Sequence, residues 1–283
     1  MDGLKRVSYS QYSMWAQCPH RWKTAYVDGH REFTESIHTL FGTSMHEVIQ
    51  TFLHVMYTET AKKAESLDLD ELLRVRMKKN FESALKQNGG EMFCTEKDMV
   101  EFYVHGTEIL NFLKKKRGQY FSKKGYELLG IEVKLDYDLP NNIKFIGYLD
   151  VVIKDTVRNV IKIYDIKTST MGWNKWMKAD KNKTDQLLLY KQFYSKEFDV
   201  PMDRIDVEYF IVKRKLYENT DFPQKRIQTF IPANGKPSIN KVNRRLEAFM
   251  KECYDKDGNI IEHNYEKCSP QKKCKSFTKC KDL

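Results

Sequence analysis

Two hydrophobic rhythms divide the chain near residue 125. Before that point apolar residues recur every three or four positions, the period of a helix with one buried face. This predicts helices over Tyr9–Tyr26, Ser44–Tyr57, Leu69–Gln87 and Thr95–Tyr120, with Ser44 as a cap and Thr95 with Asp98 resembling a capping box. After it come short runs rich in β-branched and aromatic residues, which predict strands over Glu127–Tyr137, Ile143–Ile153 and Val160–Thr168. A helix over Thr184–Lys196, strands over Ile205–Leu216 and Arg226–Ile231, and a helix over Ser238–Tyr254 follow, with Asn219–Gln224 and Pro232–Pro237 as turns. Strands, helix and strand in this order describe an α/β chain of mixed type. A central mixed sheet is flanked by helices, behind a helical N-terminal half.

The second and third strands carry the most informative residues. Asn141-Asn142 and Arg158-Asn159 bound them like turns, so they read as a hairpin, with Asp150 on the first strand and Asp165 and Lys167 on the second. Side chains alternate along a strand, which puts Asp165 and Lys167 on one face while Ile166 points into the core. Two carboxylates and an ammonium meeting at one point are a minimal set for metal-dependent cutting of a phosphodiester. Mg²⁺ or Mn²⁺ takes hard oxygen ligands, available from Asp150, Asp165 and the carbonyl of Ile166, with water completing the shell. Lys167 would orient or deprotonate the attacking water, or steady charge on the phosphate. The competing reading is an exposed salt-bridge face, since an isolated D-x-K often means no more than that.

Other residues are candidates for the same chemistry. His46 falls near the start of an amphipathic helix, where it is either a surface histidine or a neutral imidazole completing a metal site. Gln186 and Tyr190, four apart on a helix, share a face and offer an amide and a phenol to a lysine, a phosphate or a nucleotide; Tyr190 fits a core role equally. In Thr168–Thr184, Trp173 and Trp176 alternate with Lys175, Lys178, Lys181 and Lys183. Rings that stack on bases and lysines that track phosphates grip single strands, although tryptophans also anchor loops on a core. A chain of 283 residues, 41% hydrophobic, can bury a substantial core, and its net charge of +10 with a pI near 9.1 favours an anionic partner. Basic runs such as Lys114–Arg117 and Lys213-Arg214-Lys215 are each ordinarily solvated faces.

Taken in order, several motifs resemble the PD-(D/E)xK nuclease superfamily and, within it, the RecB-like exonucleases that include CRISPR-associated and phage-encoded members. They are Ser8-Tyr9-Ser10 with Cys18-Pro19-His20-Arg21-Trp22; Phe41-Gly42-Thr43-Ser44-Met45-His46; Gly147-Tyr148-Leu149-Asp150; Asp165-Ile166-Lys167; and Gln186-x-x-x-Tyr190. Together they span about Val7 to Cys280, and the first core motif lacks the proline of the superfamily's name. The resemblance implies a restriction-endonuclease-like sheet, His46 as a metal ligand and a metal or supporting role for Glu132. It also implies a Mg²⁺- or Mn²⁺-dependent DNA exonuclease, acting on single-stranded or duplex ends in recombination, repair or replication. The absence of G-x-x-x-x-G-K-[ST] leaves any ATP-driven unwinding to a helicase or recombinase partner. A scaffold that keeps the fold without catalysis, and a nuclease for RNA, are the alternatives.

The cysteines raise a separate question. In many RecB-like relatives one early cysteine and three late ones hold a [4Fe-4S] cluster that fastens the termini together, and Cys18, Cys268, Cys274 and Cys280 correspond to them. The first two late cysteines are further apart here than is usual in the family. Structural zinc and unligated thiols remain open beside the cluster. Cys253 shares an apolar helix face with Val242, Leu246, Phe249 and Met250, and reads as core. The expected organisation is one compact unit: a helical region over 1–125 carrying His46, a nuclease core over 126–255, and a tail over 256–283 returning to the N-terminus. No apolar run is long enough to cross a bilayer and no apolar leader opens the chain, so an intracellular, cytoplasmic location without membrane attachment is expected.

Overall fold

The computed structural model describes residues 5–30 and 35–265. Six strands form one sheet: β1 (Lys5–Ser8), β2 (Tyr126–Leu139), β3 (Ile143–Asp155), β4 (Val160–Ser169), β5 (Ile205–Lys213) and β6 (Ile227–Phe230). The helices are α1 (Tyr9–Gln17), α2 (Pro19–Tyr26), α3 (Ile37–Thr58), α4 (Ala61–Glu65), α5 (Leu69–Gln87), α6 (Glu96–Tyr120), α7 (Lys175–Ala179), α8 (Lys181–Glu197) and α9 (Lys236–Cys253).

Strand β3 organises the sheet. Antiparallel β2 runs along one edge of it, and the other edge is shared between two partners. Parallel β1 pairs with Ile143–Ile146, and antiparallel β4 pairs with Val151–Asp155. Strands β4 and β5 are parallel, as a helical crossover through α8 requires, and β6 returns antiparallel beside β5. The sheet is therefore mixed and covered on both faces. Trp22, Phe193, Tyr209 and Phe249 fill the side under α1, α2, α8 and α9; Phe41, Met45, Leu53, Leu73 and Phe210 fill the side under α3, α5 and α6. Cys253 is fully buried in the first of these cores, as its helix face implied.

Several boundaries differ from expectation for local reasons. Pro19 has no N–H to donate and disfavours helical backbone before it, so Cys18 is extended and the single helix expected over Tyr9–Tyr26 is two. Helix α3 starts a full two turns before Ser44. Its cap is Ser36, in a reciprocal box with Thr39, while Ser44 is buried in mid-helix and donates to the Leu40 carbonyl at 2.9 Å. The Thr95–Asp98 box does form, with each side chain accepting the other's backbone N–H. Strand β1, the single turns α4 and α7, and the end of β5 at Lys213 rather than Leu216 are below the length at which periodicity speaks. Among the described residues no helix is long and apolar enough to cross a membrane. Cys268, Cys274 and Cys280 lie outside the described residues; Cys18 is fully buried at the α1–α2 junction.

Candidate active site

The candidate site forms where β4 parts from β3. The last pair of their ladder is Val151 with Tyr164, and one more step in that register would set Asp150 opposite Asp165. Instead the Ile166 N–H donates to Asp150 Oδ2 at 2.6 Å, so a side chain takes the place of a backbone acceptor. The alternation of β3 slips at the same residue. Phe145 and Leu149 face the α8–α9 core, yet Val151 and Ile153, also odd-numbered, face the α3–α6 core. Strand β2 slips alongside: Val133 belongs to the first core and Ile131 to the second, and Glu132 between them has φ +50°. A left-handed backbone at a residue with a side chain is disfavoured, and such strain persists only where the surroundings hold it.

Strand β4 keeps its alternation. Ile166 is fully buried against the helical half, while Asp165 and Lys167 share the opposite face, with Lys167 Nζ 2.7 Å from Asp165 Oδ2. From α3, His46 brings Nδ1 to 3.6 Å of Asp150 Oδ2 and has the Ile166 backbone as a hydrogen-bond partner. One turn on, Gln50 Nε2 donates to Glu132 Oε1 at 2.5 Å and to the Asp150 carbonyl at 3.3 Å. His46, Asp150, Asp165, Ile166 and Lys167 thus converge, and Glu132 is joined to them through Gln50. Nothing in the sequence singled out Gln50 except its four-residue spacing from His46, which puts both on one helix face.

Burial sets the charge states. Desolvation, helped by the nearby Lys167 cation, lowers the His46 pKa to about 4, so its imidazole is neutral near pH 7 and has a free lone pair. Desolvation and then the Asp165 carboxylate push Asp150 well above the ordinary carboxylate range, against the pull of Lys167 and the Ile166 N–H. Burial works to lower Lys167, but Asp165 and Asp150 outweigh it and the net shift is upward, so the side chain is an ammonium.

When both are ionised, the Asp150 and Asp165 carboxylates outnumber the one ammonium, an excess of negative charge that a divalent cation would neutralise. The donors suit a hard cation: carboxylates from Asp150 and Asp165, the Ile166 carbonyl and the neutral ring of His46. Asp165 Oδ2 is buried, and the Lys167 ammonium 2.7 Å away is its near neighbour. Among the described residues no three His, Cys, Asp or Glu side chains form a ready cage, so carbonyl, water or substrate oxygens must complete the shell.

Lys167, Thr168 and Ser169, at the end of β4, stand between two hollows. One, of ≈380 Å³, opens toward α3 and α6 and is walled by His38, His46, Phe102 and Arg214; the other, of ≈270 Å³, opens toward α7 and α8 past Asn182, Lys183 and Gln186. Neither is lined by a carboxylate, and both are lined by cations and hydroxyls, a surface for a polyanion. Arg214 belongs to a run that read as a solvated face. It is instead buried, bonded to Glu101 at 2.8 Å and stacked 3.9 Å above the Phe102 ring.

The remaining candidates divide. Gln186 Nε2 donates to the Tyr190 hydroxyl at 3.1 Å, and the Tyr190 ring lies over Gly147, where a Cβ would come 2.8 Å from its Cε1. Trp173 is an anchor and not a base platform: it is 6% exposed, with its ring centroid 4.8 Å from that of Tyr209 and 6.1 Å from that of Phe230. Trp176, on α7, is 73% exposed with the Lys175 ammonium 4.9 Å from its ring centroid, while Lys178 lies over Phe230.

A mixed sheet whose central strands part around paired acids and a lysine defines a nuclease of the restriction-endonuclease-like type. The chain matches the family model of the PD-(D/E)XK nuclease superfamily over residues 6–280 and belongs to that superfamily. Among solved structures it is similar to a provisionally assigned exonuclease from Eubacterium rectale, with 12% identity, a TM-score of 0.49, and coverage of 87% of this chain and 79% of that one. No curated protein matches the chain.

Proposed function

We propose that the protein is a Mg²⁺- or Mn²⁺-dependent deoxyribonuclease that hydrolyses phosphodiester bonds from DNA ends, preferring single strands, in recombination, repair or replication. The observation that supports this reading is the broken β3–β4 ladder, where the Ile166 N–H meets the Asp150 carboxylate beside His46 and near the Asp165–Lys167 pair, with His46 and Lys167 lining the acid-free hollow toward α3 and α6. The preference for ends rests on the resemblance to RecB-like exonucleases. The preference for single strands rests on exposed Trp176 beside Lys175, a ring and a cation on the α7 bank.

A divalent cation held by His46, Asp150, Asp165 and the Ile166 carbonyl would polarise the phosphate and supply a water of lowered pKa. The chain's own groups do the rest. Lys167, kept protonated by Asp165, donates to a phosphate oxygen or fixes the attacking water; an ammonium is the wrong form for a base, which favours the stabilising role over proton removal. Gln186, bonded to the Tyr190 hydroxyl, lines the hollow beside it.

Digestion of end-labelled single-stranded DNA, duplex DNA and RNA with Mg²⁺, Mn²⁺ or EDTA tests the reading. Single-stranded DNA should be degraded from its ends with either metal and remain whole in EDTA. Lys167→Ala and Asp165→Ala should each reduce cutting by a factor of about 10² to 10³, the usual loss for a transition-state donor, while DNA binding persists. Variants that cut as well as the parent would refute the assignment.

A further inference from the structure

The slipped alternation around Asp150 is an unusual way to aim a carboxylate, and one side chain spans both strands that slip. Gln50 is 8% exposed, on the face of α3 that covers β2 and β3. Its single Nε2 reaches two acceptors, the Glu132 carboxylate at 2.5 Å and the Asp150 backbone carbonyl at 3.3 Å. Glu132 is the one residue of β2 with positive φ. The residues that flank Glu132 and Asp150 pack on opposite faces of the sheet: Leu149 and Val133 on one, Val151 and Ile131 on the other.

We propose that Gln50 is a positioning residue: its amide ties the left-handed Glu132 to the Asp150 carbonyl and so aims the Asp150 carboxylate into the gap between β3 and β4. The inference rests on the metal-dependent reading given under Proposed function. Three constraints act in series. A regular β3 would point the Asp150 side chain squarely to one face, where it could not accept the Ile166 N–H in the plane of the sheet. The slip turns it into that plane, at 2.6 Å from Ile166 N and 3.6 Å from His46 Nδ1. The slip in turn requires β2 to follow, and β2 follows through a Glu132 conformation that a side chain resists unless something holds it. Gln50 is the donor placed to hold it, and an apolar residue of equal size at this core position would fill the space without doing so.

The test is a mutant cycle read by Mn²⁺ binding. Paramagnetic resonance titration of the full chain with Mn²⁺ and no nucleic acid is made on the parent, Gln50→Leu, Glu132→Gly and the double variant, with kcat and KM on single-stranded DNA alongside. Gln50→Leu should weaken Mn²⁺ by 10- to 100-fold, as loss of a ligand-orienting partner does, with kcat falling and KM for DNA within twofold. Glycine accepts positive φ without a tether, so Gln50→Leu should change Mn²⁺ affinity less than twofold once Glu132→Gly is present. Losses that multiply in the double variant, or a Gln50→Leu protein that binds Mn²⁺ and cuts like the parent, overturn the proposal. Gln50→Met, a flexible near-isostere, replaces Gln50→Leu in the same cycle if the leucine variant does not fold. If the parent binds Mn²⁺ but cuts no nucleic acid, the functional reading fails while the cycle still reports on Gln50.

Discussion

From Val151 to Asp155, β3 has a hydrogen-bonded neighbour on each edge, and Val151, Val152 and Ile153 are buried to 1% exposure or less. From Ile143 to Asp150 the same strand loses β4, borrows the four residues of β1, and carries half-exposed Tyr148 and a glycine crowded by a tyrosine ring. The first half spends its backbone groups on the ladder and its side chains on the core. The second leaves a gap in the ladder, and the gap is where a carboxylate takes the place of a carbonyl. On the proposed function one strand thus contributes stability at one end and chemistry at the other, and the boundary is a single residue, Asp150.

The sharpest way to break this contrast is Asp150→Asn. An amide oxygen can still accept the Ile166 N–H, so the geometry survives while the charge goes. Cutting should fall by a factor of about 10³, at the upper end for loss of one electrostatic partner. Stability should move the other way. The Asp150 carboxyl titrates well above its ordinary value in the folded chain, so its protonated form favours folding and that contribution is lost as pH rises through the folded pKa. Ionising this group in the metal-free parent therefore opposes folding, and Asp150→Asn removes that opposition. Calorimetry without metal should show a higher Tm for the variant at pH 8 and a gap that closes toward pH 4. A lower Tm at pH 8, or a pH-independent gap, would show that the carboxylate is not strained.

How much of this could be read in the chain follows the same boundary. Strands β2 to β5, helices α5 to α9 apart from the single-turn α7, and the shared face of Asp165 and Lys167 follow from regular periodicity, because side chains repeat faithfully where ladders are intact. The slip at Asp150 and Glu132 does not, since an alternating pattern carries no mark of a broken alternation. Gln50 and Arg214 were hidden for a related reason. A polar residue on an amphipathic helix, or a cation in a Lys-Arg-Lys run, is ordinarily solvated, and only tertiary packing shows that these two are buried. Trp173 and Trp176 looked alike in sequence, and what separates them is whether Tyr209 and Phe230 lie beneath.

The regular half of β3 should answer in the opposite currency. Ile153 is fully buried in the α3–α6 core and pairs with Lys162 across an intact ladder. Ile153→Ala should cost about 2 to 5 kcal/mol of unfolding free energy, the range for emptying such a site. The kcat of the protein that remains folded should stay within about twofold of the parent, since nothing near the proposed cation ligands shifts. Urea denaturation gives the first quantity and initial rates well below the midpoint the second. A kcat that collapsed with stability would mean that the two halves are not separable.

The smallest effect probes the functional half away from any charge. At Gly147 an added Cβ would meet Tyr190 Cε1 at 2.8 Å and Phe145 Cε1 at 3.4 Å, and a flat ring wedged against a sheet has little room to yield. Gly147→Ala should therefore cost about 1 to 3 kcal/mol, as overpacking does, and lower activity by moving Tyr190 and the Gln186 bonded to it. The second effect distinguishes this site from the core: a ring displaced here shifts Gln186, which lines the hollow beside Lys167. Tyr190→Leu opens space over position 147, so combining it with Gly147→Ala should cost less than the two changes do separately. Strictly additive losses would show that Gly147 is present for backbone freedom and that the tyrosine does not press on it.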